Sequence, residues 1–105
     1  MPVIVTLRFS VKSEKAEEFK SLLKSLLPDT RAYEGCHGVS VYQDQDDAGS
    51  IYLVESWESK EHQQKYQTWR DESGIGEVVG PYLACEARFN YFDKQDIYGR
   101  YDVRA

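Results

Sequence analysis

Ligand-type side chains are scarce in this chain: of 105 residues, two are cysteine and two histidine. Cys36, His37, His62 and Cys85 are too scattered for a zinc pattern, which needs close ligand pairs. Without an export signal the two thiols are expected to stay reduced. Positive charge is also short, with 13 Lys and Arg against 18 Asp and Glu and a net charge of -5. No basic run occurs, so nucleic acid and anionic membrane surfaces are poor partners. Met1-Pro2-Val3-Ile4-Val5 has neither a basic flank nor a long apolar stretch. No signal peptide and no membrane span are therefore expected, and the expected location is cytoplasmic. No internal repeat, linker or low-complexity tract is visible. Gly74-Ile75-Gly76 lacks the third glycine and the strand-turn-helix setting of a dinucleotide loop. No serine has a nucleophile-elbow context. Asp44, Asp46 and Asp47 mark a polar turn, because the twelfth position of a calcium loop, residue 55, would fall inside a strand.

What is present suits one small core. A length of 105 residues argues for a single domain over 1–105, with a core at 3–92 and a tail at 93–105. Hydrophobic residues at 41% and aromatics at 13% are enough for two packed layers. Val3, Val5, Leu7 and Phe9 alternate with Ile4, Thr6 and Arg8, the mark of a half-buried strand. Ser13 reads as the N-cap of a helix whose apolar face carries Ala16, Phe19, Leu23 and Leu26. Pro28 either ends that helix or opens a continuation to Tyr33, and Gly35 stops it. Val39 and Val41 mark a second strand, Ile51 to Glu58 a third, and the polar turn between them makes a hairpin. A second helix runs from about Lys60 to Asp71, residues 75–80 are short or irregular, and Tyr82 to Phe92 alternates as a fourth strand. The tail over 97–103 alternates loosely enough for a short fifth. The order βαββαβ is the ferredoxin-like α+β arrangement, a four-stranded antiparallel sheet with both helices on one face. Its other face needs a cover, and a second copy placed sheet to sheet would supply one, giving a homodimeric barrel.

The richest stretch is Ile51 to Arg70. It reads as a strand ending at Trp57, a Ser59 cap and a helix with His62, Tyr66 and Trp69 on one face. So many amphipathic rings at one junction suggest a pocket for a flat organic molecule.

Four segments together carry a family resemblance over roughly Val3 to Phe92. They are the opening strand Val3-Ile4-Val5, the helix with Phe19 and Leu23, the turn Thr30-Arg31-Ala32-Tyr33-Glu34-Gly35-Cys36, and Glu55-Ser56-Trp57-Glu58-Ser59-Lys60-Glu61. The chain resembles the antibiotic biosynthesis monooxygenase family of dimeric α+β barrels, which includes small quinol monooxygenases. The run Tyr66-Gln67-Thr68-Trp69-Arg70 resembles a branch with a Tyr and a Trp-Arg on the second helix. The resemblance implies oxygenation of an electron-rich aromatic, a quinol or polyketide-like phenol, by O2 with neither metal nor flavin. Many members have a histidine nine residues after the strand tryptophan, where this chain has Tyr66. Haem-degrading relatives use an Asn on the first strand, and Val3 to Phe9 has none, which disfavours haem breakdown.

Such chemistry needs a mostly apolar cavity, a base and a holder for the oxyanion. Trp57 and Tyr66 are the first candidates, as N–H donor and proton-exchanging phenol, with His62 and His37 as bases of suitable intrinsic pKa. Arg70, Arg88 and Arg31 could hold an anion, and Trp69 and Tyr42 could contact the ring. Each has a structural alternative: core packing for Trp57, Tyr66 and Trp69, solvation for the histidines, and surface or cross-strand ion pairing for the arginines. An isomerase or cyclase on the same barrel, and a non-catalytic dimer that holds a hydrophobic metabolite, stay open beside the oxygenase.

Overall fold

The computed structural model describes residues 2–97. Four strands form an antiparallel sheet: β1 (Val3–Ser10), β2 (Cys36–Gln43), β3 (Ser50–Trp57) and β4 (Arg88–Asp93), in the order β2-β3-β1-β4. The helices are α1 (Ala16–Ala32), α2 (Lys60–Glu72) and a short α3 (Ile75–Val79). Alternation decides which side of the sheet is covered. Val3, Val5, Leu7 and Phe9 of β1 are buried and pair with Trp57, Glu55, Leu53 and Ile51 of β3, which are buried too. Opposite them Phe19, Leu23 and Leu27 form the inner stripe of α1. The buried face of α2 is Gln63, Tyr66 and Arg70. The expected His62–Tyr66–Trp69 face is rotated by one position, with Gln63 and Arg70 inside and the Arg70 guanidinium bonded there to α1 and Tyr66.

Three boundaries differ from the sequence reading. Ser13 is no cap: residues Ser13–Lys15 form a 3-10 turn, and no side chain caps the start of α1. Pro28 lies inside α1, which runs on to Ala32. The fourth strand starts at Arg88, not Tyr82. Gly80–Tyr82 is a 3-10 turn, and Leu83 makes an isolated bridge with Val11. An unbroken ladder from that bridge would set Glu86 against Arg8, but Arg88 stands there, so two residues are looped out. The alternation survives because the shift is even. The expected strand over 97–103 lies, apart from Ile97, outside the described residues.

Gly35 is where the chain leaves α1 for β2. Its φ is +88°, and a Cβ there would sit 2.5 Å from the His62 ring. Its carbonyl accepts from Glu58 N–H at 2.7 Å, tying this turn to the end of β3. The core divides in two. One cluster, around Phe9, Phe19, Leu23, Ile51 and Leu53, lies under α1, and a second, of Val3, Val5, Trp57 and Tyr66, lies under α2. Cys36 packs against both, and Cys36 and Cys85 are free thiols.

Candidate functional site

The aromatic junction is solid. Trp57 has no exposed surface and Tyr66 7%, and their ring centroids are 5.1 Å apart. Tyr33 packs edge-on against both, at 6.5 Å from Trp57 and 5.3 Å from Tyr66. Trp69 closes the outside, 5.5 Å from Tyr33, and is about one-third exposed. The rings fill the space they were expected to surround. The Tyr66 hydroxyl lies 2.6 Å from Thr30 Oγ1 and accepts from Arg70 Nε at 2.7 Å. Arg70 is buried, not a surface ion-pair partner, and its Nη2 donates to the Leu26 carbonyl and Thr30 Oγ1. Its guanidinium also lies over the Trp69 ring at 4.7 Å. This network clamps α2 onto α1.

A second buried polar group lies beneath the first turns of α2. Glu55 sits on the inward face of β3 with 3% exposure, and Trp57 Nε1 donates to its Oε1 at 2.8 Å. Residues i and i+2 share a strand face, which is why the indole can reach. Burial pushes the Glu55 carboxyl up from its ordinary range, and the indole N–H only partly offsets this. Along the same row of the sheet, Glu55 pairs with Val5 and Val5 with Tyr91. The Tyr91 hydroxyl donates to Gln63 Oε1 at 2.6 Å. Burial, and then the Glu55 charge, raise the Tyr91 phenol, so it keeps its proton. Gln63 is 1% exposed, and its Nε2 has no hydrogen-bond partner among the described residues.

Of this group Tyr91 reaches an open cleft of about 290 Å³, which it lines with Val3, Ser59, Lys60, Phe92 and Asp93. Ser59 is the N-cap of α2, its Oγ accepting from His62 N–H at 3.2 Å. Lys60 Nζ stands 4.7 Å from the centre of the Tyr91 ring. Gln63 follows Ser59 and Lys60 by four and three residues, so all three share one side of the helix. Tyr91 is thus the wall between the cleft and the buried amide. The cluster combines a base of raised pKa, an indole that orients it, a phenol and a free amide donor.

The remaining candidates lie elsewhere. His62 Nδ1 is 2.6 Å from Ser59 Oγ, and the ring borders a shallower hollow with Glu34, Glu61 and Lys65. His37 Nε2 lies 3.5 Å from Glu58 Oε1, in a hollow of about 400 Å³ shared with Arg31, Val39 and Val54. Arg31 donates to the Val39 carbonyl at 3.0 Å, covering the free edge of β2. Tyr42 and Arg88 are exposed on the side of the sheet away from the helices, Tyr42 opposite Tyr52 and Arg88 opposite Arg8. Glu55, Gln63 and Tyr91 escaped the sequence reading. The signal for Glu55 was there: it takes an inward place in the alternation Ile51, Leu53, Glu55, Trp57.

Comparison with known proteins agrees with this architecture. The sequence profile of the family described as antibiotic biosynthesis monooxygenase matches residues 2–75. A conserved protein from Methanosarcina mazei Go1 superposes with a TM-score of 0.80 at 26% identity, over 90% of this chain and 94% of that one. Rv0793 from Mycobacterium tuberculosis gives 0.78 at 22% identity, over 94% and 100%. A crystal structure of an antibiotic biosynthesis monooxygenase gives 0.78 at 16%, over 89% and 98%. An uncharacterized Synechocystis protein, sll1783, is 30% identical over 59 residues, which is 56% of this chain but only 40% of that protein's length.

Proposed function

We infer the function from one premise: this chain belongs to the antibiotic biosynthesis monooxygenase family. We propose that it oxidises a small electron-rich aromatic, a quinol or polyketide-like phenol, with O2, and that the ring enters by the cleft at Tyr91. The observation that carries this reading is the desolvated Glu55 carboxylate, held by Trp57 and lying in the same sheet row as Tyr91, which lines that cleft.

Dioxygen is a triplet and reacts slowly with closed-shell molecules, but a phenolate can give it one electron directly. The step the protein must promote is therefore loss of the phenolic proton. A carboxylate of raised pKa is the stronger base for it. Trp57 is a positioning residue: its N–H fixes the carboxylate oxygen it binds and leaves the other to take the proton. For a hydroquinone the atoms balance as follows. One ring C–H is replaced by C–O, the second oxygen atom leaves as water with two substrate hydrogens, and the product is a hydroxyquinone. The substrate supplies all four electrons, so no external reductant is required.

A homodimer belongs to this reading. Tyr42 and Phe92 are each 51% exposed on the sheet face the helices leave bare, beside Ile4, Tyr52 and Val54. A second copy would cover that face. No helix among the described residues is long and apolar enough to cross a membrane. We place the protein in the cytoplasm, where free thiols persist.

Oxygen uptake with 1,4-dihydroxynaphthalene and substituted hydroquinones, corrected for autoxidation, tests the proposal. Uptake should require the protein and fall at least a hundredfold in Glu55→Gln. No uptake with any quinol, or full activity in Glu55→Gln, overturns it. Anaerobic turnover would instead indicate an isomerase, and tight binding without turnover a carrier.

A further inference from the structure

The amide of Gln63 has a task that the oxygen chemistry leaves unassigned. A glutamine amide offers two donor hydrogens and an acceptor oxygen. The oxygen is used by Tyr91, while Nε2 is enclosed and without a partner among the described residues. An unpaired polar group in a protein interior is costly, and such groups are few and call for a cause. Replacing the amide by an apolar side chain would remove the cost, so its presence points to an acceptor that arrives from outside. Three observations say by which route. Tyr91 holds the amide and also lines the cleft. Ser59 and Lys60, which line the cleft too, lie one helical turn before Gln63 on the same side of α2. The rest of the cluster is closed, since Val5 and Trp57 have no exposed surface.

We propose that Gln63 is a specificity-determining residue: its Nε2 recognises an acceptor oxygen, a ring ketone or a phenolate, on the molecule that enters past Tyr91. This rests on the reading that a ring enters by this cleft, but not on that ring being oxidised. The Tyr91 hydroxyl donates to Oε1, which leaves Nε2 as the free end of the amide. A ring without such an oxygen leaves the amide unpaired, as it already is in the free protein, and so gains no hydrogen bond from Gln63.

The test compares 1-tetralone with tetralin, which has the same skeleton and no oxygen. Binding to the full chain is followed by intrinsic tryptophan fluorescence and by the Gln63 side-chain amide signals in 15N NMR, assigned through bonds in the wild type. Tetralone should bind about three- to tenfold more tightly than tetralin, the range for one neutral hydrogen bond. The Gln63 amide protons should move downfield with tetralone alone. In Gln63→Met the preference should vanish while tetralin affinity stays. Equal affinities, absence of binding by both, or Gln63 signals unmoved by tetralone overturn the inference, and the NMR arm decides even if the variant folds poorly. The two proposals fail separately. Quinol oxidation with an indifferent Gln63 removes only this one, and tetralone recognition without oxygen uptake removes only the oxygenase.

Discussion

Replacing Glu55 by glutamine should make the protein more stable at pH 8 while abolishing its proposed activity. The carboxylate is 3% exposed and takes one hydrogen bond from Trp57. Glutamine keeps an oxygen for that indole, but the bond falls from the charged class, about 1.5–3 kcal/mol, to the neutral class, about 0.5–1.5, and the new buried NH2 adds a cost of about 1–3 kcal/mol where it finds no partner. Against this loss stands release from a desolvation penalty of several kcal/mol for a buried ion, on the order of what limits buried ion pairs generally. A net gain of roughly 1–2 kcal/mol follows, or about 4–8 °C in Tm per kcal/mol for a chain of this size. The pH dependence fixes the cause. Burial raises the folded pKa of Glu55, so the folded state binds this proton more tightly than the unfolded state does. The wild type then has the full contribution below the unfolded value of about 4.3, and loses it as pH climbs through the raised folded value. Glutamine has no such slope. The gain should therefore be largest at alkaline pH and shrink to nothing, or reverse, as pH falls through the folded pKa. Urea titrations followed by far-UV circular dichroism from pH 4.5 to 8.5, at fixed protein concentration, measure it. A difference that stays flat across that range, or a less stable variant at pH 8, would refute the reasoning.

Other outcomes follow from the same geometry. Trp57→Phe should cost about 2–3 kcal/mol, from a lost charged hydrogen bond and a cavity. About half of the hydrogen-bond part should disappear in a Glu55→Gln background, where the indole keeps a neutral acceptor, a coupling that a double-mutant cycle reads directly. Arg70→Lys should lose about 2–3 kcal/mol, because one ammonium cannot serve Tyr66, Leu26 and Thr30 together; a loss below about 0.5 kcal/mol in chemical denaturation would contradict the clamp. Gly35→Ala combines a positive φ with overlap on His62 and should lower stability by about 1–3 kcal/mol, visible as an earlier thermal transition. Phe92→Glu should convert a dimer to a monomer in sedimentation velocity. A wild type that already sediments at 12.2 kDa would remove the dimer from the proposal.

The scaffold was readable because each element repeats one simple period. Val3 to Phe9 and Ile51 to Trp57 alternate, Phe19, Leu23 and Leu27 recur at helical spacing, and Gly35 punctuates. The start of the fourth strand was not readable. Leu83 does bridge to Val11, and an even slip of two residues before Arg88 leaves the alternation of Tyr82 to Phe92 untouched, so no pattern betrays it. The site was half visible. Trp57 and Tyr66 were found because aromatic rings catch attention, yet volume alone cannot tell whether rings enclose a space or occupy it. Tyr33, whose ring joins theirs, comes from the end of α1, and only the tertiary arrangement brings it there. Gln63 was overlooked, and Arg70 was read as an anion holder or surface ion-pair partner instead of a core group, because their polar ends suggested the outside of α2. Their spacing from Tyr66, three before and four after, fits a helix face as well as any apolar triplet does.

The split interior has an evolutionary and dynamic consequence. The buried residues of the α1 cluster are all aliphatic or phenyl, whereas the α2 half carries the buried ionisable and amide groups. Away from Cys36 and the Thr30–Tyr66–Arg70 network, which join the halves, changes in one should add to changes in the other, so new ligand preferences can be selected beneath α2 while the opposite half keeps the chain folded. Native-state hydrogen exchange should register the same divide, with amides of α2 opening at lower free energy than those of β1 and the middle of α1.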